Sequence, residues 1–180
     1  MGGVISGVVF TGAEHEIECM ESVYIETSVV SYLVARPPAR TVAHQWHVWT
    51  KDWWRLRRPY FECVISSEVL REAAAGDPKA SRQRLEALST LTVLRRTSTV
   101  DELAEVFLSS GAMPAKAKAD AVHLAVATSH RVDYLLTWNC KHLANAEILL
   151  RLRPLAEQRG HRMPVVCRPL QLMGEIEYEG

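Results

Sequence analysis

The chain lacks the patterns that announce several common chemistries. Its four cysteines, Cys19, Cys63, Cys140 and Cys167, form no CxxC pair, so a cysteine zinc site or a dithiol redox motif has no support. Before Glu14 there is neither a basic stretch nor an apolar run of secretory type, which also argues against a disulfide framework. No apolar run approaches the ~18 residues of a membrane span. A cytoplasmic protein without a membrane partner is therefore expected. Charge of one sign is also missing: Lys plus Arg is 21 and Asp plus Glu is 21, which excludes a globally basic nucleic-acid-binding surface and leaves local patches open. Nor does the chain contain G-x-G-x-x-G, a Walker lysine loop, a G-x-S-x-G elbow or H-E-x-x-H.

What is present suits one globular domain: 180 residues, 48% hydrophobic and 23% charged. Residues 1–20 carry Gly2, Gly3, Gly7 and Gly12 without a period. They are expected to form a loosely ordered extension, with Met20 a candidate alternative start. From Val23 onward, short β-rich runs alternate with helical stretches, the pattern of an α/β fold with a parallel sheet. The predicted strands are Val23 to Glu26, Phe61 to Ile65, Leu91 to Arg95, Tyr134 to Thr137 and Val165 to Arg168. Val42, Trp46, Trp49, Trp53 and Leu56 fall at helical spacing, and a second helix follows Ser66-Ser67 until Gly76-Asp77-Pro78 stops it. Further helices are predicted around Leu103, Val106 and Phe107, and from Lys116 to Ser129.

Four places carry residues suited to chemistry. The first strand runs into Glu26-Thr27-Ser28, an acid and two hydroxyls where an open parallel sheet has its ligand crevice. The competing structural reading makes Glu26 a first-turn acid and Thr27 or Ser28 a helix cap. Asp120 is the lone acid in a helix of small and apolar residues, and a partly buried carboxylate there should pair or bind a cation. His123, one turn on, reads as a hydrogen-bonded core histidine before it reads as a ligand. Tyr134-Leu135-Leu136-Thr137-Trp138-Asn139 again ends a strand in oxygen-bearing side chains. Glu68 and Glu72 share a helix face, and either is a solvated surface acid unless the fold turns it to the crevice. Acids that converge at strand ends build an oxygen cage for Mg²⁺ or Mn²⁺ and point to phosphodiester chemistry.

The runs YIETSVVSYLVARP (24–37), ISSEVLREAAAGDP (65–78), KADAVHLAVAT (118–128) and DYLLTWNCKHLAN (133–145) together resemble PIN-domain proteins of the VapC-toxin-like group. The resemblance covers about residues 20 to 175. It implies a PIN-like nuclease domain over 21–175, followed by an acidic tail at 176–180. The implied fold is a three-layer α/β/α domain with a five-stranded parallel sheet in the order 3-2-1-4-5 and a helical arm. The implied activity is that of a Mg²⁺- or Mn²⁺-dependent endoribonuclease, the toxin of a type II toxin–antitoxin pair, with RNA as substrate, an antitoxin as partner and a homodimer as assembly. Carried over residue by residue, the metal ligands are Glu26, Glu72 and Asp120, with Thr137 and Asn139 in support. Two positions depart from the family pattern: Glu26 stands where Asp is usual, and Asn139 stands in place of a fourth acid. Asn139 is expected to offer its carbonyl oxygen to the metal, and Asn139→Asp to tighten Mg²⁺ binding.

Residues 36–58 hold Arg36, Arg40, Lys51, Arg55, Arg57 and Arg58 against Asp52 alone, beside Trp46, Trp49, Trp53 and Trp54. The tryptophan stripe is expected to pack on its own domain. Trp54, off that stripe, with Arg55, Arg57 and Arg58, is expected to contact RNA or a partner. The departures at Glu26 and Asn139 keep one rival in view, a catalytically impaired domain that binds RNA or protein; a third reading is a nuclease directed at DNA on the same scaffold.

Overall fold

In a computed structural model the described residues are 20–174, so the expectations for the leader before Met20 and for the tail at 176–180 lie outside the described residues. Strand β1 (Ser22–Ile25) carries Val23, Tyr24 and Ile25, all without solvent exposure. Neighbouring side chains on a strand point to opposite faces, so burial of all three demands a helical layer on each side. Burying Val23 and Ile25 contributes roughly 1.5–3 kcal/mol each before entropy is counted.

Four more strands complete the sheet: β2 (Glu62–Ser66), β3 (Thr92–Leu94), β4 (Tyr134–Leu136) and β5 (Val165–Cys167). All pairs are parallel and the order is β3-β2-β1-β4-β5, as expected. Each strand lies within a residue or two of its predicted place. The helices are α1 (Thr27–Val34), α2 (Val42–Leu56), α3 (Ser67–Ala73), α4 (Pro78–Leu88), α5 (Ser98–Ser109), α6 (Lys118–Ser129) and α7 (Ala146–Glu157). They form the outer layers of a three-layer α/β/α domain, with α1 packed on α2 and α4, and α5 packed on α6 and α7. No helix among the described residues is long and apolar enough to cross a membrane.

Gly76-Asp77-Pro78 does more than stop α3. Gly76 takes φ +85°, a left-handed conformation that glycine adopts without steric cost. Asp77 then caps α4 by accepting from the Ala80 N–H at 2.8 Å, and Pro78 fills the first helical position.

The tryptophan stripe of α2 does pack on its own domain. Trp53 is fully buried, and Trp46 and Trp49 lie partly buried against the core. The stripe's two ends, Val42 and Leu56, stay exposed. Trp138, directly after β4, is stacked on Trp46 with centroids 4.9 Å apart and on Trp49 at 6.2 Å. Its indole N–H donates to Thr50 Oγ1 at 2.8 Å, so α2 is fastened to the carboxyl end of β4.

Candidate metal centre at the carboxyl edge of the sheet

The register of β1 on β4 pairs Ile25 with Leu136, which sets the next residues, Glu26 and Thr137, side by side beyond the strand ends. The Glu26 N–H donates to the Leu136 carbonyl at 3.1 Å and holds that alignment. Here the winding of the sheet reverses, since β2 lies on one side of β1 and β4 on the other, and such a switch point opens a crevice.

Glu26 is 5% exposed. Its carboxylate accepts from Ser28 N–H at 3.1 Å, from Thr137 Oγ1 at 2.6 Å and from Ser28 Oγ. It is therefore itself the N-cap of α1, whereas the structural alternative drawn from the sequence placed the cap on Thr27 or Ser28. Thr137 Oγ1 accepts in turn from Asn139 N–H at 2.9 Å, and Ser28 Oγ from Trp138 N–H at 2.8 Å, so the α1 start and the β4 end are laced together around one carboxylate.

Glu72 reaches the same place from α3. Its Oε2 accepts from Thr27 Oγ1 and meets His123 Nε2 at 3.0 Å. His123 is 1% exposed on α6, and its other nitrogen lies 2.8 Å from the Tyr24 hydroxyl, which lies 2.6 Å from Ser66 Oγ. Both ring nitrogens are thus partnered: a neutral His123 donates to Glu72 and accepts from Tyr24, and a charged one donates to both. Burial pulls the His123 pKa down, but the Glu72 hydrogen bond and the charges of Glu26, Glu72 and Glu68 outweigh it and raise the value. For Glu72, burial acts upward, and His123, Thr27 and Arg71 together hold its pKa below the ordinary carboxylate value.

One ligand atom each from Glu26, Glu72 and His123 lie within 4.8 Å of one another. Glu26 forms no salt bridge with a Lys, Arg or His among the described residues. Two carboxylates this close, one of them buried and held only by hydroxyls and one N–H, suit a divalent cation, which would offset their repulsion. The oxygens match a hard ion such as Mg²⁺ or Mn²⁺; His123, engaged on both nitrogens, orients Glu72.

Asp120 stands in a second cluster. Its Oδ1 accepts from Asn139 Nδ2 at 2.8 Å, and its Oδ2 meets His142 Nδ1 at 2.8 Å. Of the two outcomes expected for this carboxylate, pairing or a cation, the described protein groups supply the pairing. Asn139 Oδ1 accepts from His142 N–H at 3.1 Å, which engages one lone pair of its carbonyl in a turn. The two clusters are joined through the Asn139 backbone and Thr137. His142 and Tyr24 escaped the sequence reading. The signal for Tyr24 was available: a hydroxyl inside a fully buried strand must find a buried partner. His142 had only its place three residues after Asn139.

The basic patch lies elsewhere. Arg57 and Arg58 lead into β2, whose first residue pairs with Ser22 at the amino edge of the sheet, opposite the acids. Arg57 packs over Tyr60 and Phe61, and Arg58 covers the Trp54 ring at 4.8 Å, so Trp54 and Arg58 engage each other. Arg55 is exposed, 3.9 Å from Asp52. Cys63 and Cys167 are buried, with thiol pKa values pushed up by burial to about 11 and about 12.

No family model matches the chain, and no curated protein or solved structure matches it either.

Proposed function

We propose that the protein is a divalent-metal-dependent endoribonuclease of the PIN-domain kind that its sequence resembles. The observation that carries the reading is the meeting of Glu26 and Glu72, from the end of β1 and from α3, at the switch point of a 3-2-1-4-5 parallel sheet. On this reading Glu26 and Glu72 hold Mg²⁺ or Mn²⁺ and Asp120 borders the ion. The bound ion would supply an activated water and charge neutralisation at the phosphodiester. The chain's own groups do the positioning: Thr137 and Ser28 fix Glu26, Thr27 and His123 fix Glu72, and Asn139 with His142 fixes Asp120. A toxin role in a toxin–antitoxin pair, with an antitoxin partner and a homodimeric assembly, belongs to the same proposal.

The test is cleavage of labelled single-stranded RNA, with single-stranded DNA of equal length as comparison. Cleavage of RNA in Mg²⁺, its loss in EDTA, and a fall of about two orders of magnitude in Glu72→Gln are the expected results. No cleavage by the wild type with either metal would overturn the reading.

A second reading is favoured by Asp120, both of whose oxygens are already partnered, and by the neutral Asn139 beside it. Under it the domain binds RNA or protein without cleaving, and the same assay gives no product.

A further inference from the structure

Beside the acid centre lies an open cleft of about 470 Å³ between α3 and α6. Its wall residues interleave in sequence with those of the centre: Arg71 precedes Glu72, Ala119 precedes Asp120 and Val122 precedes His123. Four cations line it, Arg71 from α3, Arg96 from the loop after β3, Lys116 from the approach to α6 and Lys118 from its first turn, against one acid, Glu68. All four are exposed. In a chain of zero net charge this concentration is local and one-sided.

Three of the four cations can turn to a ligand at little cost, Arg96 and the two lysines. Arg96 Nε donates to Asp101 at 2.6 Å, an exposed pair of the kind that contributes little and gives way to a better anion. Arg71 is held in a bidentate pair by Glu68, whose side chain is only 12% exposed, and keeps its remaining N–H donors for the cleft. Lys116 and Lys118 form no salt bridge among the described residues. The N-cap of α6 is Ala117, which makes no side-chain cap, and the acid of the first turn, Asp120, is engaged by Asn139 and His142.

An anionic substrate that approached Glu26, Glu72 and Asp120 would meet repulsion from three carboxylates. A row of cations next to them supplies the compensating attraction. Among the described residues the cleft is lined by no aromatic ring on which a base could stack and no large aliphatic anchor of the kind a protein partner needs; Ala119 and Val122 are its apolar surface. The lining thus matches a repeating chain of phosphates.

We infer that this cleft holds the phosphodiester backbone of single-stranded RNA, Arg96, Lys116 and Lys118 neutralising phosphates without reading bases and the Glu68-paired Arg71 bordering them. The inference rests on the ribonuclease reading for the identity of the polymer, and it moves the RNA contact from the amino edge at Arg55, Arg57 and Arg58 to the carboxyl edge beside the acids.

The experiment measures fluorescence anisotropy of a fluorescein-labelled oligouridylate with the full chain in EDTA, over a series of NaCl concentrations. Lys116→Ala/Lys118→Ala should weaken binding roughly tenfold and reduce the slope of log affinity against log salt by about 1.4, two lost phosphate contacts. Arg153→Ala, which removes an exposed cation from α7, should bind as wild type does. Circular dichroism melts show whether the double variant is folded, and Lys118→Glu, expected to weaken binding further, gives an independent variant. Wild-type affinity and slope in both lysine variants, or no binding by the wild type, would overturn the inference. The cleavage assay in Mg²⁺ separates the two proposals. Cleavage by the wild type with unchanged binding in the lysine variants would overturn the cleft and leave the nuclease. Lysine-dependent binding without cleavage would support the cleft and overturn the nuclease.

Discussion

Asn139 holds opposite partners at once: its amide nitrogen donates to Asp120 and its carbonyl accepts from the His142 backbone. Only the amide can do both, because the Asp120 side requires a donor and the His142 side an acceptor. The expectation that Asn139→Asp tightens Mg²⁺ binding treats the residue as a ligand, whereas the geometry makes it a clamp. The substitution would bring a second carboxylate against Asp120 and push the pKa of one of the pair up. In EDTA, Asn139→Asp should therefore melt below wild type at pH 8, by the equivalent of about 1–3 kcal/mol. The gap should narrow at pH 5 as the pair takes up a proton. Equal melting temperatures at pH 8 would show that the clamp carries no weight. At this scale the sequence was partly legible. Glu26 stands out as an acid at a strand end, whereas Glu72 reads like Glu68 as a surface acid until the family resemblance singles it out; the structure brings Glu26 and Glu72 together. His142 did not stand out, since its role depends on a turn that returns it to Asp120, and no spacing rule encodes that return.

Helix α2 was readable as a helix from its 3.6-residue stripe, and the stripe indoles Trp46, Trp49 and Trp53 pack on the domain as expected, while Trp54, expected to face a ligand, also lies partly buried against the core. Which end of it faces the acids was not readable, because that depends on the direction in which α2 delivers the chain to β2. The helix runs from the Trp138 stack at the carboxyl edge to Arg57 and Arg58 at the amino edge, so its densest positive charge points away from the centre. The fastening of α2 at Trp138 can be tested by stability. Trp138→Ala removes a ring that is 4% exposed and stacked on two others, and should cost about 3–5 kcal/mol in denaturant unfolding. Trp138→Phe keeps an aromatic face and loses the hydrogen bond to Thr50; its cost should be nearer 1–2 kcal/mol. Equal costs for the two would mean that stacking on α2 adds nothing. Strand positions were legible to within two residues because the apolar runs are short and bounded by polar residues. The start of α4 was not, since Asp77-Pro78 reads as a stop until the chain is seen to restart from it.

For the molecule as a whole, the amino edge of the sheet is closed by charge. Asp133, just before β4, accepts from the Ser22 backbone N–H at 3.0 Å and from its hydroxyl at 2.9 Å, and Arg162 donates to its other oxygen at 3.0 Å. The backbone hydrogen bond from Ser22 leads in holding the Asp133 pKa below the ordinary value, against a smaller upward push from burial. A carboxylate whose pKa is lowered by folding stabilises the fold above its unfolded pKa and loses that contribution as pH falls through its folded pKa. Asp133→Asn should therefore melt lower than wild type at pH 7, by about 1 kcal/mol once partial exposure is allowed for. The difference should close as pH drops below about 4. Thermal melts across that range check it, and a difference independent of pH would remove the charge from the account.

The indole stack has one more property. Trp138 is the peptide neighbour of both Thr137, which grips Glu26, and Asn139, which grips Asp120. Its ring lies 4.9 Å from that of Trp46 at an interplanar angle of 10°. Chromophores so close and so nearly aligned share their excited states, so some of the chain's near-ultraviolet dichroism and emission arises from a ring whose chain neighbours make both of these contacts. Any ion or nucleotide that shifts Glu26 or Asp120 tugs on that coupled pair, and the protein carries its own dye-free optical gauge of the centre's geometry.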